Sequence, residues 1–309
     1  MRKLLIVVAV AGLLLAACAE DQPAVSPATG ATGTSGPVPS QPMAGPADCA
    51  AGEEIPYVEP GMLTIGTDNP AFEPWFAGGV PDKSSGWKYN DPSTGKGYES
   101  ALAYAIADQL GFTADQVTWV VVPWNESWKP GDKSFDFDLN ETEYSADRAQ
   151  AVDFSDGYYN VQQALVAKKG TPITEVTTFD ELRQYQLGAQ LGTTSYAYIV
   201  DNIQPDKDPQ VYDRSVDVIA ALNAGQIDGY LTDAPTAYVN VLISQVKDGV
   251  VVGQFPTIGE QGYYGAVFQK GNPLVNCVNL AIANLTDDGT LAELQTKWLG
   301  DVTFPEITP

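Results

Sequence analysis

The chain has 309 residues, 44% of them hydrophobic, so it is long enough for two lobes and can bury a sizeable core. Its 16 basic against 39 acidic residues give a formal net charge of −23 at pH 7, which excludes nucleic-acid binding. The absence of histidine from the sequence excludes Ser-His-Asp hydrolysis, Cys-His proteolysis and histidine-ligated zinc. Carboxylates, a few cations, hydroxyls and aromatic side chains must supply the chemistry, and we expect neither a cofactor nor a metal.

The N-terminal segment predicts export and a membrane anchor. Residues 1–17 combine a basic start with an apolar run too short to span a bilayer, as is typical of a signal peptide. Cys18 ends the sequence LAAC, which resembles the bacterial lipobox, so we expect Cys18 to be lipid-modified. An ordinary cleaved signal is the alternative. Residues 18–47 are rich in proline and contain no aromatic residue, which predicts a flexible tether at the outer face of the cell membrane.

Two cysteines remain beyond the lipobox, Cys49 and Cys277. An exported location permits disulfide bonds, and two cysteines at opposite ends of the folded part suit a single bridge. We therefore predict a disulfide bond between them. The alternative is a pair of buried free thiols.

The rest of the chain predicts strands that alternate with helices. Apolar residues recur at helical spacing from Tyr98 to Leu110, whereas residues 135–139 alternate apolar and polar side chains as a strand does. The predicted strands are 62–67, 118–122, 135–139, 158–167, 187–191, 227–231 and 263–269, and the predicted helices are 98–110, 145–152, the segments after 192–195, after Ser215 and around Pro235, and 291–298. This alternation predicts an α/β protein with mostly parallel sheets.

Residues that can bind a small charged molecule follow the predicted strands. Ligands of parallel sheets bind beyond the C-terminal ends of the strands, so these positions are candidates for a site. They are Asp68, Trp124, the segment from Asn140 to Glu143, Thr193, Thr194 and Asp233, with Arg148 one helical turn beyond Glu143. An arginine binds a carboxylate through two parallel hydrogen bonds, and an aspartate can bind an ammonium group. Together these residues predict a site for a zwitterion.

Each of these residues also has an ordinary structural interpretation. Arg148 could pair at the surface with a neighbouring acidic residue such as Glu143. Thr193 and Thr194 could serve only to cap a helix, as could Asp233. Their positions after successive strands favour a shared site.

Five segments carry a family resemblance. They are 63–75 (LTIGTDNPAFEPW), 97–111 (GYESALAYAIADQLG), 144–159 (YSADRAQAVDFSDGYY), 191–194 (LGTT) and 224–233 (AGQIDGYLTD). In this order and spacing they resemble the bacterial extracellular solute-binding proteins of the polar amino-acid type, which are the receptors of ABC importers. The resemblance covers about residues 60 to 300.

The resemblance implies a two-lobed α/β fold of the periplasmic-binding-protein-like type II, with a mostly parallel sheet in each lobe and a hinge of two crossover strands. Lobe 1 would comprise residues 60–160 plus 264–309, and lobe 2 residues 161–263. It also implies that the lobes close on a small-molecule ligand, an amino acid, for delivery to an ABC permease. The protein would be a monomer and not an enzyme.

The same resemblance implies a role for each candidate residue. Arg148 would bind the α-carboxylate of the ligand with the help of residues 193–194, and Asp233 would bind the α-ammonium group. Phe72 and Trp124 would be the walls against which the ligand side chain packs.

Glu141 and Glu143 depart from the family, which usually has small hydroxyl residues at these two positions. Together with Asp68 and Asp233 they outnumber Arg148, and one interpretation is a cationic ligand, such as a basic amino acid or another amine-bearing compound. Strand alternation sends residues 141 and 143 to the same face, in line with this prediction. The alternative is that one glutamate pairs with Arg148 or faces solvent, which leaves an uncharged polar ligand.

Two other functions are compatible with the same fold. A secreted enzyme similar to cyclohexadienyl or arogenate dehydratase could use Glu141 and Asp233 for acid–base chemistry if their pKa values differed. A ligand sensor could present its bound state to a membrane protein. The lipid anchor and the long tether favour a receptor that delivers its ligand to a permease.

Overall fold

The computed structural model of the protein describes residues 54–300 and 303–309. Its strands are β1 (Leu63–Thr67), β2 (Val117–Val121), β3 (Phe137–Asp138), β4 (Val152–Phe154), β5 (Tyr159–Asn160), β6 (Gln163–Lys168), β7 (Leu187–Gln190), β8 (Gln210–Tyr212), β9 (Gly229–Asp233), β10 (Gly249–Gln254), β11 (Tyr263–Tyr264) and β12 (Val267–Gln269). Its α-helices are α1 (Tyr98–Gln109), α2 (Phe179–Leu182), α3 (Thr194–Tyr198), α4 (Ser215–Ala224), α5 (Ala234–Leu242), α6 (Leu274–Asp287) and α7 (Thr290–Leu299).

The first lobe is built on a sheet with the strand order β2-β1-β3-β12-β4. β1 is parallel to β2 and β3, whereas β12 is antiparallel to β3 and β4. α1, α6 and α7 pack against one another, and their apolar side chains form one core with those of β1 and β3. The C-terminal ends of β1 and β3 therefore lie side by side, and the residues that follow them meet at one edge.

The second lobe is built on a sheet with the strand order β10-β6-β9-β7-β8. β7 is parallel to β8 and β9, whereas β6 is antiparallel to β9 and β10. Alternate residues of β6 enter different cores, Leu165 and Ala167 on one face and Ala164 and Val166 on the other. Because both faces of this strand are covered, its sequence is a continuous apolar run instead of an alternating one.

Two short crossover strands connect the lobes. β5 and β11 pair antiparallel, with Tyr264 opposite Tyr159 and Tyr263 opposite Asn160. Trp75 lies beside this pair, with its ring centroid 5.5 Å from that of Tyr159 and 5.3 Å from that of Tyr264, in both cases edge-on. Edge-to-face contacts of this kind add to the free energy of apolar burial, and they join the crossover strands to the core of the first lobe.

The fold class predicted from the sequence is confirmed, with a difference in strand direction. Each five-stranded sheet is mixed, with two parallel and two antiparallel strand pairs. β6 and β12 are the strands that follow the two crossovers, and each enters its sheet antiparallel to its neighbours. The direction of these strands is set by the path of the chain and not by their own residues.

Three predicted elements differ from the structure in how the chain is divided. The strand predicted for 158–167 is divided into the crossover strand β5 and the strand β6 of the second sheet. The helix predicted for 145–152 is only a 3-10 turn at Arg148–Gln150, because Val152–Phe154 pairs with β12 as a strand. The strand predicted for 263–269 is divided into β11 and β12, so that the first part pairs in the crossover and the second part in the sheet of the first lobe.

The C-terminal residues correct the predicted lobe boundary. The resemblance predicts that 264–309 belong to the first lobe, whereas residues 303–309 contact the second lobe. Ile307 is 1% exposed in the core of that lobe, and its backbone N–H donates to the carbonyl of Gln254 at 2.9 Å. Burial of this isoleucine side chain is the physical reason for the return of the chain to the second sheet.

The signal peptide 1–17, the tether 18–47, Cys18 and Cys49 lie outside the described residues. Cys277 is buried in α6 and is disulfide-bonded. Its partner lies outside the described residues, so the pairing with Cys49 stays a prediction. Within 54–300 and 303–309, every helix is too short or too polar to cross a membrane.

Candidate functional site

A cavity of about 380 Å³ lies between the two lobes. All nine ligand-binding residues predicted from the sequence line it: Asp68, Phe72, Trp124, Glu141, Glu143, Arg148, Thr193, Thr194 and Asp233. Asp68 follows β1, Asp233 ends β9, and Thr193 lies between β7 and α3. The strand ends of both sheets therefore face the same cavity, as expected for a ligand site in an α/β protein.

Arg148 is buried in the wall of the cavity, with 9% of its surface exposed. Its Nη1 donates to the carbonyl of Glu143 at 2.6 Å, and its Nη2 donates to the carbonyl of Gly192 in the second lobe at 2.7 Å. A guanidinium has five N–H donors, so donors remain for a ligand. The ion pairs among the described residues do not include Arg148. The alternative of a surface arginine paired with an acidic neighbour is therefore wrong.

Two tryptophans hold the guanidinium of Arg148 in place. Its central carbon lies 4.1 Å from the ring centroid of Trp128 and 5.6 Å from that of Trp124. The two rings contact each other edge-on, with centroids 4.8 Å apart. Burial lowers the pKa of Arg148 to about 10, and the nearby Glu143 opposes this change. The side chain thus stays cationic at neutral pH, in an orientation fixed by cation–π contacts.

Asp233 lies at the end of β9, where it begins α5 without a capping hydrogen bond from its side chain. Its Oδ1 accepts a hydrogen bond from Nε2 of Gln163 at 2.9 Å, and Oε1 of Gln163 accepts one from the hydroxyl of Ser195 at 2.5 Å. Burial raises the pKa of Asp233 above its ordinary value. The helix-capping interpretation is wrong for this side chain, because its contacts orient it within the cavity wall.

Thr193 does cap a helix. Its hydroxyl accepts a hydrogen bond from the N–H of Tyr196 at 3.1 Å and donates one to the carbonyl of Gln190 at 2.7 Å. Thr194 faces Glu143, and a hydrogen bond between their side chains partly offsets the effect of burial on the pKa of Glu143. Both threonines line the cavity, but the hydroxyl of Thr193 is already engaged by the protein.

Glu141 connects the first lobe to the second. Its Oε2 accepts a hydrogen bond from the hydroxyl of Thr236 at 3.2 Å, and that hydroxyl in turn accepts one from Nε1 of Trp75 at 2.8 Å. The backbone of Glu141 has a φ of +52°, a left-handed conformation that costs a non-glycine residue about 1–3 kcal/mol. Its N–H donates to Oε1 of Glu99 at 2.7 Å.

Glu143 is the second departure from the family pattern. Burial raises the pKa of its carboxyl to about 7. Its carboxylate lies against Gly262, where a Cβ atom would overlap Oε1 of Glu143. Arg148 bonds to the backbone carbonyl of Glu143 and makes no close ion pair with its carboxylate, although the two charges attract each other at longer range.

Negative charge predominates in the wall of the cavity. The charged lining residues are the six acids Asp68, Glu126, Glu141, Glu143, Asp213 and Asp233 and the three bases Lys88, Arg148 and Arg214. Arg214 is held by Asp217 through two hydrogen bonds at 2.8 and 2.9 Å, and Lys88 is exposed. Within the described lining, the carboxylates are therefore left with few positive partners, and a bound cation would be attracted to them.

Five residues that shape the site are not predicted from the sequence as ligand contacts: Trp75, Glu99, Trp128, Gln163 and Thr236. The spacing of Trp128, four residues after Trp124, is a signal that could have indicated an aromatic pair beside Arg148. The other four act through contacts that join distant parts of the chain. An example is the hydrogen bond between Trp75 and Thr236, which are 161 positions apart in the sequence. Local patterns do not encode such contacts.

The comparisons with known proteins agree with this geometry. The family model for bacterial extracellular solute-binding proteins, family 3, matches residues 79–301. The L-cystine-binding protein TcyJ of Escherichia coli K12 is 34% identical over 212 residues, which span 67% of this chain and 76% of that protein. The ABC transporter arginine-binding protein 1 of the same strain is 28% identical over 172 residues, which span 54% and 67%. A solved ancestral arginine-binding protein bound to glutamine has a TM-score of 0.62 and 27% identity, and the match covers 79% of this chain and 100% of that chain.

Proposed function

The chain belongs to the bacterial extracellular solute-binding proteins, family 3, and from this membership we propose that it captures a cationic amino acid between its lobes and delivers it to the permease of an ABC importer. Relatives are named for the binding of cystine and of arginine, and the solved ancestral protein is named for arginine binding with glutamine bound. Among these ligands, the residues that line the cavity favour a cationic amino acid such as arginine.

The common part of an amino acid has an acidic and a basic group, and the cavity has a partner for each. Arg148 retains donors for the α-carboxylate, and the tryptophan rings around it keep the guanidinium plane fixed. Asp233 accepts the α-ammonium group from the opposite lobe, where Gln163 orients its carboxylate. Thr194 and the backbone near Thr193 assist Arg148, and Phe72 and Trp124 pack against the ligand side chain.

The surplus of acidic residues in the cavity wall is the observation that supports the proposal of a cationic ligand. The α-ammonium group of the ligand binds Asp233. Glu141, Glu143 and Asp68 line the same cavity and remain available for a second cationic group. Glu141 reaches the lobe interface, so it is placed to bind the distal cation of a ligand side chain. With an uncharged ligand these buried acids would have no positive partner and would be held in their protonated form, whereas a cationic ligand pairs with them in their ionised form.

Lobe closure follows from where the contacts lie. Arg148 and Glu141 belong to the first lobe, whereas Gly192, Thr236 and Asp233 belong to the second. A ligand that contacts both lobes stabilises the closed arrangement by its differential affinity for it, and no other source of energy is needed. The turning point would lie at the crossover pair β5 and β11.

Location follows from the N-terminal sequence. We propose that Cys18 carries lipid and that residues 18–47 tether a monomer to the outer face of the cell membrane, close to its permease. A Cys18→Ala variant expressed in a bacterial host should be released in soluble form, whereas the unchanged chain should partition into detergent and incorporate labelled fatty acid. Equal partitioning of the two chains would contradict the anchor.

The ligand class is tested by calorimetric titration of the purified protein with arginine, lysine and ornithine, and with glutamine, cystine and glutamate. We expect about micromolar or tighter binding of at least one of the three cationic amino acids. Glutamine, cystine and glutamate should each bind at least tenfold more weakly than that amino acid. Preferential binding of an uncharged or acidic amino acid would overturn the cationic ligand. Conversion of prephenate or arogenate by the protein would favour the dehydratase alternative instead.

A further inference from the structure

Glu99 is a fully buried carboxylate beside the cavity wall, with 0% of its surface exposed. It lies in the first turn of α1, and its N–H donates to the carbonyl of Trp75 at 3.0 Å. Gly97, with a φ of +97°, allows this close approach, because a Cβ atom at that position would overlap the backbone of Trp75. The start of α1 is thereby fixed against the first lobe, and Glu99 with it.

The carboxylate of Glu99 is held by two donors and has one free oxygen. Oε1 accepts hydrogen bonds from the N–H of Glu141 at 2.7 Å and from the hydroxyl of Tyr158 at 2.5 Å. The carbonyl of Tyr158 accepts a hydrogen bond from the hydroxyl of Tyr98 at 2.6 Å, which fixes the tyrosine backbone. Oε2 of Glu99 is buried without a hydrogen-bond partner among the described residues.

The bond to Glu99 fixes a residue in an unfavourable backbone conformation. Glu141 has a positive φ, and its N–H would be buried without an acceptor if Glu99 were shortened. Such a residue persists in this conformation only where its surroundings determine it. Without Glu99 we expect the backbone at 141 to relax, and the carboxylate of Glu141 to leave Thr236 and the cavity.

The charged groups around this pair are mostly acidic. Those that face Glu99 or Glu141 from the packed elements are Asp68, Asp138 and Asp233, together with the neutral phenols Tyr98, Tyr158, Tyr230 and Tyr264. The cation of the cavity wall, Arg148, faces Glu143 and Asp233 instead. Burial and this shared negative charge raise the pKa of both Glu99 and Glu141.

From this geometry we propose that Glu99 is a positioning residue of the ligand site: it holds Glu141 aimed into the cavity, and the pair releases a proton to solvent when a cationic ligand binds. The charge of the ligand replaces that of the proton, so the net charge around the pair is kept. This proposal rests on the proposed function, because it requires a ligand that carries a cation to Glu141.

The test compares Glu99→Gln and Glu99→Ala with Asp136→Asn in the full protein. Asp136 is a matched control, because it is also a buried acid of the first lobe held by two donors, here the N–H groups of Val58 and Thr64, but it does not line the cavity. The probe is whichever cationic amino acid binds most tightly. Proton release is measured by calorimetry at pH 7 in buffers of different ionisation enthalpy.

We expect Glu99→Ala to weaken binding at least tenfold, because Glu141 loses its acceptor. Glu99→Gln keeps an acceptor oxygen and should bind within about threefold of the unchanged protein at pH 8, but with less proton release and a flatter dependence of affinity on pH. Asp136→Asn should leave both proton release and the pH profile unchanged, even if it lowers the melting temperature. Unchanged affinity in Glu99→Ala, or undiminished proton release in Glu99→Gln, would overturn the proposal.

A ligand-free measurement separates this proposal from the proposed function. In carboxyl NMR titrations, the pKa of Glu141 should fall in Glu99→Gln relative to the unchanged protein, because a neighbouring negative charge is removed. If the protein binds only uncharged amino acids, the ligand class is wrong, and the titration still decides whether Glu99 controls Glu141. An unaltered Glu141 titration contradicts the positioning role whatever the ligand is.

Discussion

The arginine cluster (Arg148, Trp124 and Trp128) and the acidic cluster (Glu99, Glu141 and Asp233) share one cavity but differ in how far the protein itself completes them. The guanidinium of Arg148 is stacked on an aromatic ring and bonded to two carbonyls, so its orientation is set before any ligand arrives. In the acidic cluster, the donors are neutral hydroxyl, amide and backbone N–H groups, and the carboxylates repel one another. The protein itself fixes the arginine cluster in a binding orientation. The acidic cluster, in contrast, gains a positive partner only when a cation binds.

Arg148 gives the largest expected effect. Arg148→Ala should weaken ligand binding by roughly 100-fold or more, because truncation leaves the carboxylate of a buried ligand unpaired. Arg148→Lys should also bind poorly, since a lysine cannot reproduce the two parallel hydrogen bonds or the stacking on Trp128. Both are measured by calorimetric titration. Arg183→Ala, which removes an arginine paired with Asp180 at the surface, is the control and should bind normally. Normal binding by Arg148→Ala would mean that another group anchors the ligand.

Glu141→Gln should alter selectivity. We expect the affinity for a cationic amino acid to fall by roughly 10-fold to 100-fold, the cost of losing a charged hydrogen-bond partner, while the affinity for glutamine stays level or improves. Competition between arginine and glutamine in one titration measures the change directly. An equal loss for both ligands would place Glu141 at the common α-ammonium group and not at the side chain.

The stability of the ligand-free protein should depend on pH through the buried acids. Burial raises the pKa of Asp138 and of Glu143 to about 7, above the value of about 4 that these groups have in an unfolded chain. The folded state therefore holds more protons between these values, so its free energy of unfolding should fall as the pH rises from 5 to 8, by at most about 1.4 kcal/mol per pH unit for each group.

Urea denaturation at pH 5 and pH 8 measures this change, and Asp138→Asn should reduce it because one titrating group is removed. A cationic ligand should lessen the decline, since it supplies the positive charge that the protons no longer provide. Higher stability at pH 8 than at pH 5 without ligand would contradict this prediction from the raised pKa values of Asp138 and Glu143.

Thr236→Val should have the smallest effect. Valine has nearly the shape of threonine but cannot accept a hydrogen bond from Trp75 or donate one to Glu141 across the lobe interface. Loss of these bonds should weaken closure and lower the affinity about threefold to tenfold. The same change at Thr286, whose hydroxyl bonds within α6, is a control that leaves the interface intact. If Thr236→Val bound as tightly as the unchanged protein, the bonds across the interface would contribute little to closure.

The site was predictable from the sequence because its residues follow regular strands. β1, β7 and β9 each have a clear local pattern, and the residues at their C-terminal ends, Asp68, Thr193 and Asp233, were placed in one cavity on that basis. Arg148 is also predicted to line the cavity, and it does. The helix predicted around it is longer than the 3-10 turn in the structure, but the predicted location of that turn in the chain is correct.

Other features depend on contacts that no short stretch of sequence records. Glu99 in the first turn of a helix is ordinarily explained by the helix dipole, and only the fold brings it to the N–H of Glu141. The antiparallel entry of β6 and β12 depends on the path through the crossovers. Ile307 packs in the second lobe because the core there is assembled from segments that are distant in the sequence.

The placement of Ile307 has a practical use. Since residues 303–309 lie on one lobe while α7 belongs to the other, these residues and this helix move apart or together whenever the two sheets change their separation. A fluorescent donor attached at the exposed Glu306 and an acceptor attached on the solvent side of α7 would therefore convert ligand capture into an optical signal, without any label inside the cavity.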